Sequence, residues 1–170
     1  MPKQSDLIFI GDSLTAFHDW SAFGPHRNAG IAGDTTDGLL YRIHYTLEKK
    51  PGTLVLMIGI NDLLQGHDVR HIEENYAEIF EKIEGTDKVV ILSLLPVKAV
   101  PETAALNQNV KQLNRYLHNE SQKRGFAFVD LYSLMTDRDE GLKESYTSDG
   151  VHLTPEGYRI WEETLTPFLQ

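Results

Sequence analysis

Four short, nearly continuous apolar runs, separated by stretches of helical spacing, restrict this chain to a narrow set of folds. Leu7–Ile10, Thr53–Ile58, Lys88–Leu95 and Phe126–Asp130 are rich in branched or aromatic residues and lack polar alternation. That pattern suits strands buried on both faces, as in a parallel sheet. Between them, Leu39, Leu40, Ile43 and Leu47 form one apolar stripe, Ile72, Tyr76, Ile79, Phe80 and Ile83 a second, and Leu106, Val110, Leu113 and Leu117 a third. Each stripe repeats every three to four residues, so each predicts a helix with one face on the sheet. A last helix is expected from Pro155, capped by Thr154, with Tyr158, Ile160, Trp161, Leu165 and Phe168 turned inward. Strand and helix in alternation read as a three-layer α/β/α sandwich with a mostly parallel sheet and right-handed crossovers. Residues 17–27, 94–103 and 136–148 read as irregular, and two of these segments follow strand ends, where open α/β sheets bind ligands.

The 170 residues fit one compact domain, 1–170, and 41% hydrophobic residues are enough to build its core. A formal charge of −9, spread along the chain, argues against binding to nucleic-acid phosphates or anionic membrane surfaces. Without a cysteine there is no disulfide, no thiol nucleophile and no thiolate metal site. Residues 1–6 lead directly into a run too short for a signal-peptide core or a membrane span, so a cytoplasmic location is the expectation. A homodimer is the commonest assembly for a protein of this kind.

Four local motifs carry candidate chemistry. Gly11-Asp12-Ser13-Leu14 follows the first strand, placing a serine where a parallel strand turns into a helix and backbone N–H groups favour negative charge. Asp149 and His152 lie three residues apart on one loop, where the carboxylate can orient the imidazole as a serine nucleophile's base requires. Asn61, in Gly59-Ile-Asn-Asp62, offers a side-chain amide of the kind that stabilises an oxyanion. Gly33, in Asn28-Ala-Gly-Ile-Ala-Gly-Asp-Thr-Thr36, has no Cβ to keep its N–H from a ligand oxygen. Taken singly, each has an ordinary alternative: a helix cap at Asp12-Ser13, an Asp-Gly turn at 149–150, a cap at Asn61-Asp62, and a loop capped by Thr35 or Thr36. The glycines do not match a dinucleotide fingerprint, and no strong strand is read before them.

In their order along the chain these motifs resemble the sequence blocks of the SGNH (GDSL-type) hydrolases. The segments 28–36, Leu39-Leu-Tyr-Arg42 and Leu94-Leu-Pro96 are similar to the branch that includes the catalytic subunits of platelet-activating-factor acetylhydrolase. The resemblance implies a five-stranded, flavodoxin-like sheet and a serine esterase acting on small or short-chain, acetyl-type acyl esters without a cofactor or metal. It further implies Ser13 as nucleophile, His152 as base, Asp149 as its orienting partner, and Ser13, Gly33 and Asn61 as oxyanion donors.

Carbohydrate O-acetyl esterase and thioesterase are alternatives with the same site. A metal-dependent phosphoesterase using Asp12, Asn61, Asp62, Asp149 and His152 is a rival of another class, disfavoured because the remaining histidines are scattered. A non-catalytic binding module on the same fold is a third possibility. Phe17, Trp20, Phe23, Leu95, Val97 and Val100 are candidates for an apolar substrate pocket, with core packing as the competing role.

Overall fold

The computed structural model describes residues 7–170; residues 1–6, which carry the reading that no leader is present, lie outside the described residues. The expected α/β sandwich is present. Strand β1 (Leu7–Gly11) is followed by the four-residue helix α1 (Ser13–Ala16), strand β2 (His26–Gly30) and helix α2 (Thr36–Leu47). Then come β3 (Thr53–Met57), α3 (Ile60–Leu64), α4 (Val69–Ile83), β4 (Lys88–Leu92), α5 (Ala104–Arg124), β5 (Ala127–Val129), α6 (Tyr132–Met135) and α7 (Pro155–Leu169). The five strands form one sheet in the order β2-β1-β3-β4-β5, every pairing parallel. This is the flavodoxin-like order, with its reversal beside β1; in open α/β sheets ligands bind at such a reversal, outside the carboxyl ends of the strands.

Two apolar cores lie against the two faces of the sheet. Ile8, Ile10, Leu54, Leu56, Val89 and Ile91 meet the buried stripes of α2, α4 and α5. Their alternates Leu7, Phe9, Val55, Met57, Val90 and Leu92 meet Trp20 and the α7 residues Tyr158, Trp161 and Leu165. The period-two alternation of a strand divides each run between the two cores. As the sequence predicts, α7 opens with Pro155, and the Thr154 side chain accepts a hydrogen bond from the Gly157 N–H. Among the described residues no helix is long and apolar enough to cross a membrane.

Strand β2 corrects the expectation that residues 17–27 are irregular and that no strong strand precedes Gly30. His26-Arg-Asn-Ala-Gly30 has no branched apolar residue, yet it pairs with β1 from Leu7↔His26 to Gly11↔Gly30. It is an edge strand with a half-exposed side, so it does not need the apolar run that marks a central strand. The run 88–95 is also longer than its strand. Pairing stops at Leu92, while Leu94 and Leu95 continue as buried loop because the core extends past the last ladder bond.

Candidate active site

A four-residue helix cannot stand on its own propensity, so the position of α1 is set by what its ends touch. At its start the Asp12 side chain accepts from the Leu14 N–H at 2.9 Å, which caps the turn and leaves Ser13 as the first helical residue. At its far end the Leu14 carbonyl accepts from the Tyr158 hydroxyl at 2.6 Å, and the Thr15 carbonyl from Trp20 Nε1 and Asn28 Nδ2, both at 3.0 Å. Helix α7, the segment after α1 and the edge strand therefore all hold the turn that carries Ser13.

The loop before α7 is organised largely by its own side chains. Asp149 Oδ1 accepts from the Val151 N–H at 2.9 Å and the His152 N–H at 2.7 Å, and Asp149 Oδ2 lies 2.6 Å from His152 Nδ1. Gly150 takes φ +91°, a conformation L side chains rarely adopt, and its carbonyl accepts from the Lys98 N–H at 2.8 Å. These bonds aim the imidazole across the molecule, so that His152 Nε2 stands 3.0 Å from Ser13 Oγ. The Val151 N–H, followed by the His152 ring and its N–H, holds Asp149 down at about 2. An ionised Asp149 has no proton to give, so Nδ1 carries the hydrogen of that bond. In neutral His152, Nε2 is then a free lone pair facing the serine hydroxyl.

Asp12 is a different kind of carboxyl. Burial pushes it up to about 7, against the pull of the Leu14 N–H, and its second oxygen Oδ2 has no hydrogen-bond partner among the described residues. Asp62 is also raised by burial, and it accepts from the Thr36 N–H and from Thr36 Oγ1 at 2.5 Å. That contact ties α3 to the first residue of α2, where a carboxylate favours the helix dipole. The structure thus places Asp62 inside α3, and Gly59, without a side-chain bond, at its cap position.

Asn61, beside Asp62, donates from Nδ2 to the Asp34 carbonyl at 2.9 Å. Asp34 follows Gly33, which adopts φ +79° with open space where a Cβ would stand. The Asn61 amide and the Gly33 loop are therefore in direct contact, although they are 27 residues apart along the chain in the Asn61–Asp34 bond.

The pocket candidates separate. Trp20 is fully buried and stacks on Phe9 at 4.5 Å, while Leu95 and Val97 are 2% and 3% exposed. These three are core residues, the competing role that the sequence left open for them: continuous apolar walls on both sheet faces leave them no solvent side. Phe23 packs at the edge of the same core, and Val100 is exposed. Phe17 alone among the six lies against the serine–histidine pair, 62% exposed, with its ring 5.5 Å from that of His152. The carboxylates of the metal reading are dispersed onto Leu14, Thr36 and His152, and the described residues hold no group of three or more metal-ligating side chains. Asp34 and Arg42, which the sequence offers only inside the segments that carry the resemblance and with no role of their own, are paired at 2.8 Å.

The model of the GDSL-like Lipase/Acylhydrolase family matches residues 9–160. Among curated proteins, an N-acylneuraminate cytidylyltransferase of Streptococcus agalactiae serotype V is 22% identical over 154 residues, which is 91% of this chain and 36% of that protein. The chain thus spans little more than a third of that relative's length. Esterase TesA of Pseudomonas aeruginosa is 31% identical over 104 residues, covering 51% of this chain and 52% of the esterase. A Streptococcus pneumoniae protein whose structure bears the name platelet activating factor superposes with TM-score 0.85 at 25% identity, over 97% of this chain and 84% of that one. With the family model matching residues 9–160, on the fold and motif order described above, the chain belongs to the GDSL-like Lipase/Acylhydrolase family.

Proposed function

We propose that the chain is a serine esterase that hydrolyses small, acetyl-type acyl esters through an acyl-enzyme. The observation that carries this reading is the chain of short contacts Ser13 Oγ–His152 Nε2 at 3.0 Å and His152 Nδ1–Asp149 Oδ2 at 2.6 Å. In the first step Ser13 Oγ attacks the acyl carbonyl while His152 Nε2 takes its proton. Asp149 stays ionised and steadies the imidazolium. The negative carbonyl oxygen is received by the N–H groups of Ser13 and Gly33 and by the Asn61 amide, and the alcohol leaves with the proton from His152. Water, deprotonated by His152, then releases the acid and restores Ser13.

Within this chemistry, a carbohydrate as the alcohol is favoured by one feature. The exposed ring of Phe17 stands beside His152, where a sugar face can lie against it, and Ile31, whose N–H donates to the Gly11 carbonyl at the end of β1, is also half exposed. An open rim suits a short acyl group on a bulky alcohol. A thioester is accepted by the same attack but gains nothing from this platform.

The test is a panel of acetylated sugars, p-nitrophenyl acetate to octanoate and acyl thioesters, assayed with wild type and Ser13→Ala. Expected are hydrolysis favouring acetyl groups, its loss in the variant, and labelling of wild type alone by a fluorophosphonate. Ester hydrolysis that survives Ser13→Ala would overturn the assignment.

A further inference from the structure

Arg42 lies on α2, outside every group with a proposed chemical role, and its side chain is only 16% exposed. Its guanidinium makes three contacts with three different elements. Nε donates to Asp34 Oδ2 at 2.8 Å, one terminal nitrogen to the Ala29 carbonyl at 2.8 Å, and the other to the Gly11 carbonyl at 3.0 Å. Gly11 ends β1 two residues before Ser13, Ala29 lies near the end of β2, and Asp34 follows Gly33. Asp34 in turn accepts Asn61 Nδ2 on its carbonyl and the Thr35 N–H on Oδ1. The Ser13 turn, the Gly33 loop and the Asn61 amide are each one or two residues, or one bond, from a single ion pair.

We infer that Arg42, through Asp34, is the positioning residue that holds the three oxyanion donors in register. The inference rests on the acyl-transfer reading above, since only there do these donors act together. A planar fork with fixed donor directions can bind a carboxylate and two carbonyls at once; a lysine ammonium keeps the charge but not that geometry. Donors displaced by a fraction of an ångström still bind substrate, whose carbonyl carries little charge, but lose much of their effect on the oxyanion. Removing one such donor outright costs about 10²–10³ in rate, and loosening all three is expected to cost roughly 10–10².

The experiment compares wild type with Arg42→Lys and Asp34→Asn on the best ester from the panel, together with amide hydrogen exchange across residues 31–35. Expected are a fall in kcat of about 10–10² with KM within about threefold, a matching loss of affinity for a boronic-acid analogue of the tetrahedral intermediate, and faster exchange in the loop. Asp34→Asn, which keeps an oxygen for Arg42, is expected to fall between wild type and Arg42→Lys. Unchanged kcat with folded variants, or a rise confined to KM, would overturn the inference while Ser13-dependent turnover leaves the esterase reading standing. Wild type with no Ser13-dependent turnover would defeat the esterase reading itself, and unchanged exchange in the loop would overturn the positioning role of Arg42 whatever the activity.

Discussion

The two sides of the Ser13–His152 contact are built in opposite ways. Ser13 is 8% exposed, on a turn clamped by β1, β2 and α7, whereas the His152 and Asp149 side chains are 40% and 52% exposed on a loop shaped largely by one carboxylate. The place of Ser13 follows from packing the core. The place of His152 follows from a few local hydrogen bonds that contribute little to holding the molecule together. The two sides should therefore fail separately, one through stability and the other through rate.

The largest effect is expected on the loop side. Asp149→Asn retains an oxygen for the Val151 and His152 N–H groups but no longer enforces the right tautomer, so kcat should drop by about 10³–10⁴. Thermal unfolding should move by no more than a few degrees. An unfolding midpoint that collapsed along with the rate would break the contrast. On the core side, Phe9→Ala removes a buried ring stacked on Trp20 and is expected to cost about 3–5 kcal/mol in urea unfolding. The fraction still folded should keep kcat within severalfold; a loss of rate in folded protein as large as that of Asp149→Asn would show that the two sides are not separable.

Gly150→Ala tests the loop backbone itself. The residue sits at φ +91° and an added Cβ would lie 3.2 Å from Lys98 Cβ, so about 1–2 kcal/mol of strain is expected. Because the strain falls between Asp149 and His152, kcat should fall by roughly tenfold while stability shifts only by that strain. A stability loss without a loss of rate would place the strain elsewhere.

The smallest effect concerns pH. Asp12 is raised by burial from 3.8 to about 7, so between those values the folded chain holds a proton that the unfolded chain has released. Stability must then fall as pH rises through that window. Asp12→Asn should remove the fall and exceed wild type by about 1 kcal/mol at pH 8, after allowance for relaxation around a buried carboxyl. Asp149 works in the reverse sense: held at about 2, it contributes a small stabilisation present above its ordinary 3.8 and lost as pH drops toward 2. A difference between Asp12→Asn and wild type that stayed constant from pH 4 to 8 would exclude titration of Asp12 in that range.

Much of the architecture was legible in the chain because central strands and amphipathic helices must display their burial as a pattern. Ile72, Tyr76, Ile79, Phe80 and Ile83 fell at helical spacing and all are buried on α4. Strand β2 was hidden for the complementary reason: at a sheet edge the ladder with β1 replaces apolar burial as the cause of the strand, and a ladder leaves no mark on residue type. The sequence left Trp20, Leu95 and Val97 open between pocket and core because an apolar residue after a strand end has the same identity whether it turns outward or, as here, joins the core.

By itself the sequence determined the layer order, the caps at Thr35 and Thr154, and the choice of a hydroxyl, an imidazole, a carboxylate and an amide in three segments that follow strands or precede the last helix. Those features depend on neighbours within a few residues, where spacing and side-chain chemistry decide the outcome. Only the tertiary structure decided that residues 13 and 152 stand 3.0 Å apart, that Asp12 is buried while Asp149 is exposed, and that Arg42 reaches Gly11, Ala29 and Asp34 together. Each of these depends on strands paired out of sequence order and helices closed over them, so the distance that matters is set by the packed sheet and not by separation along the chain.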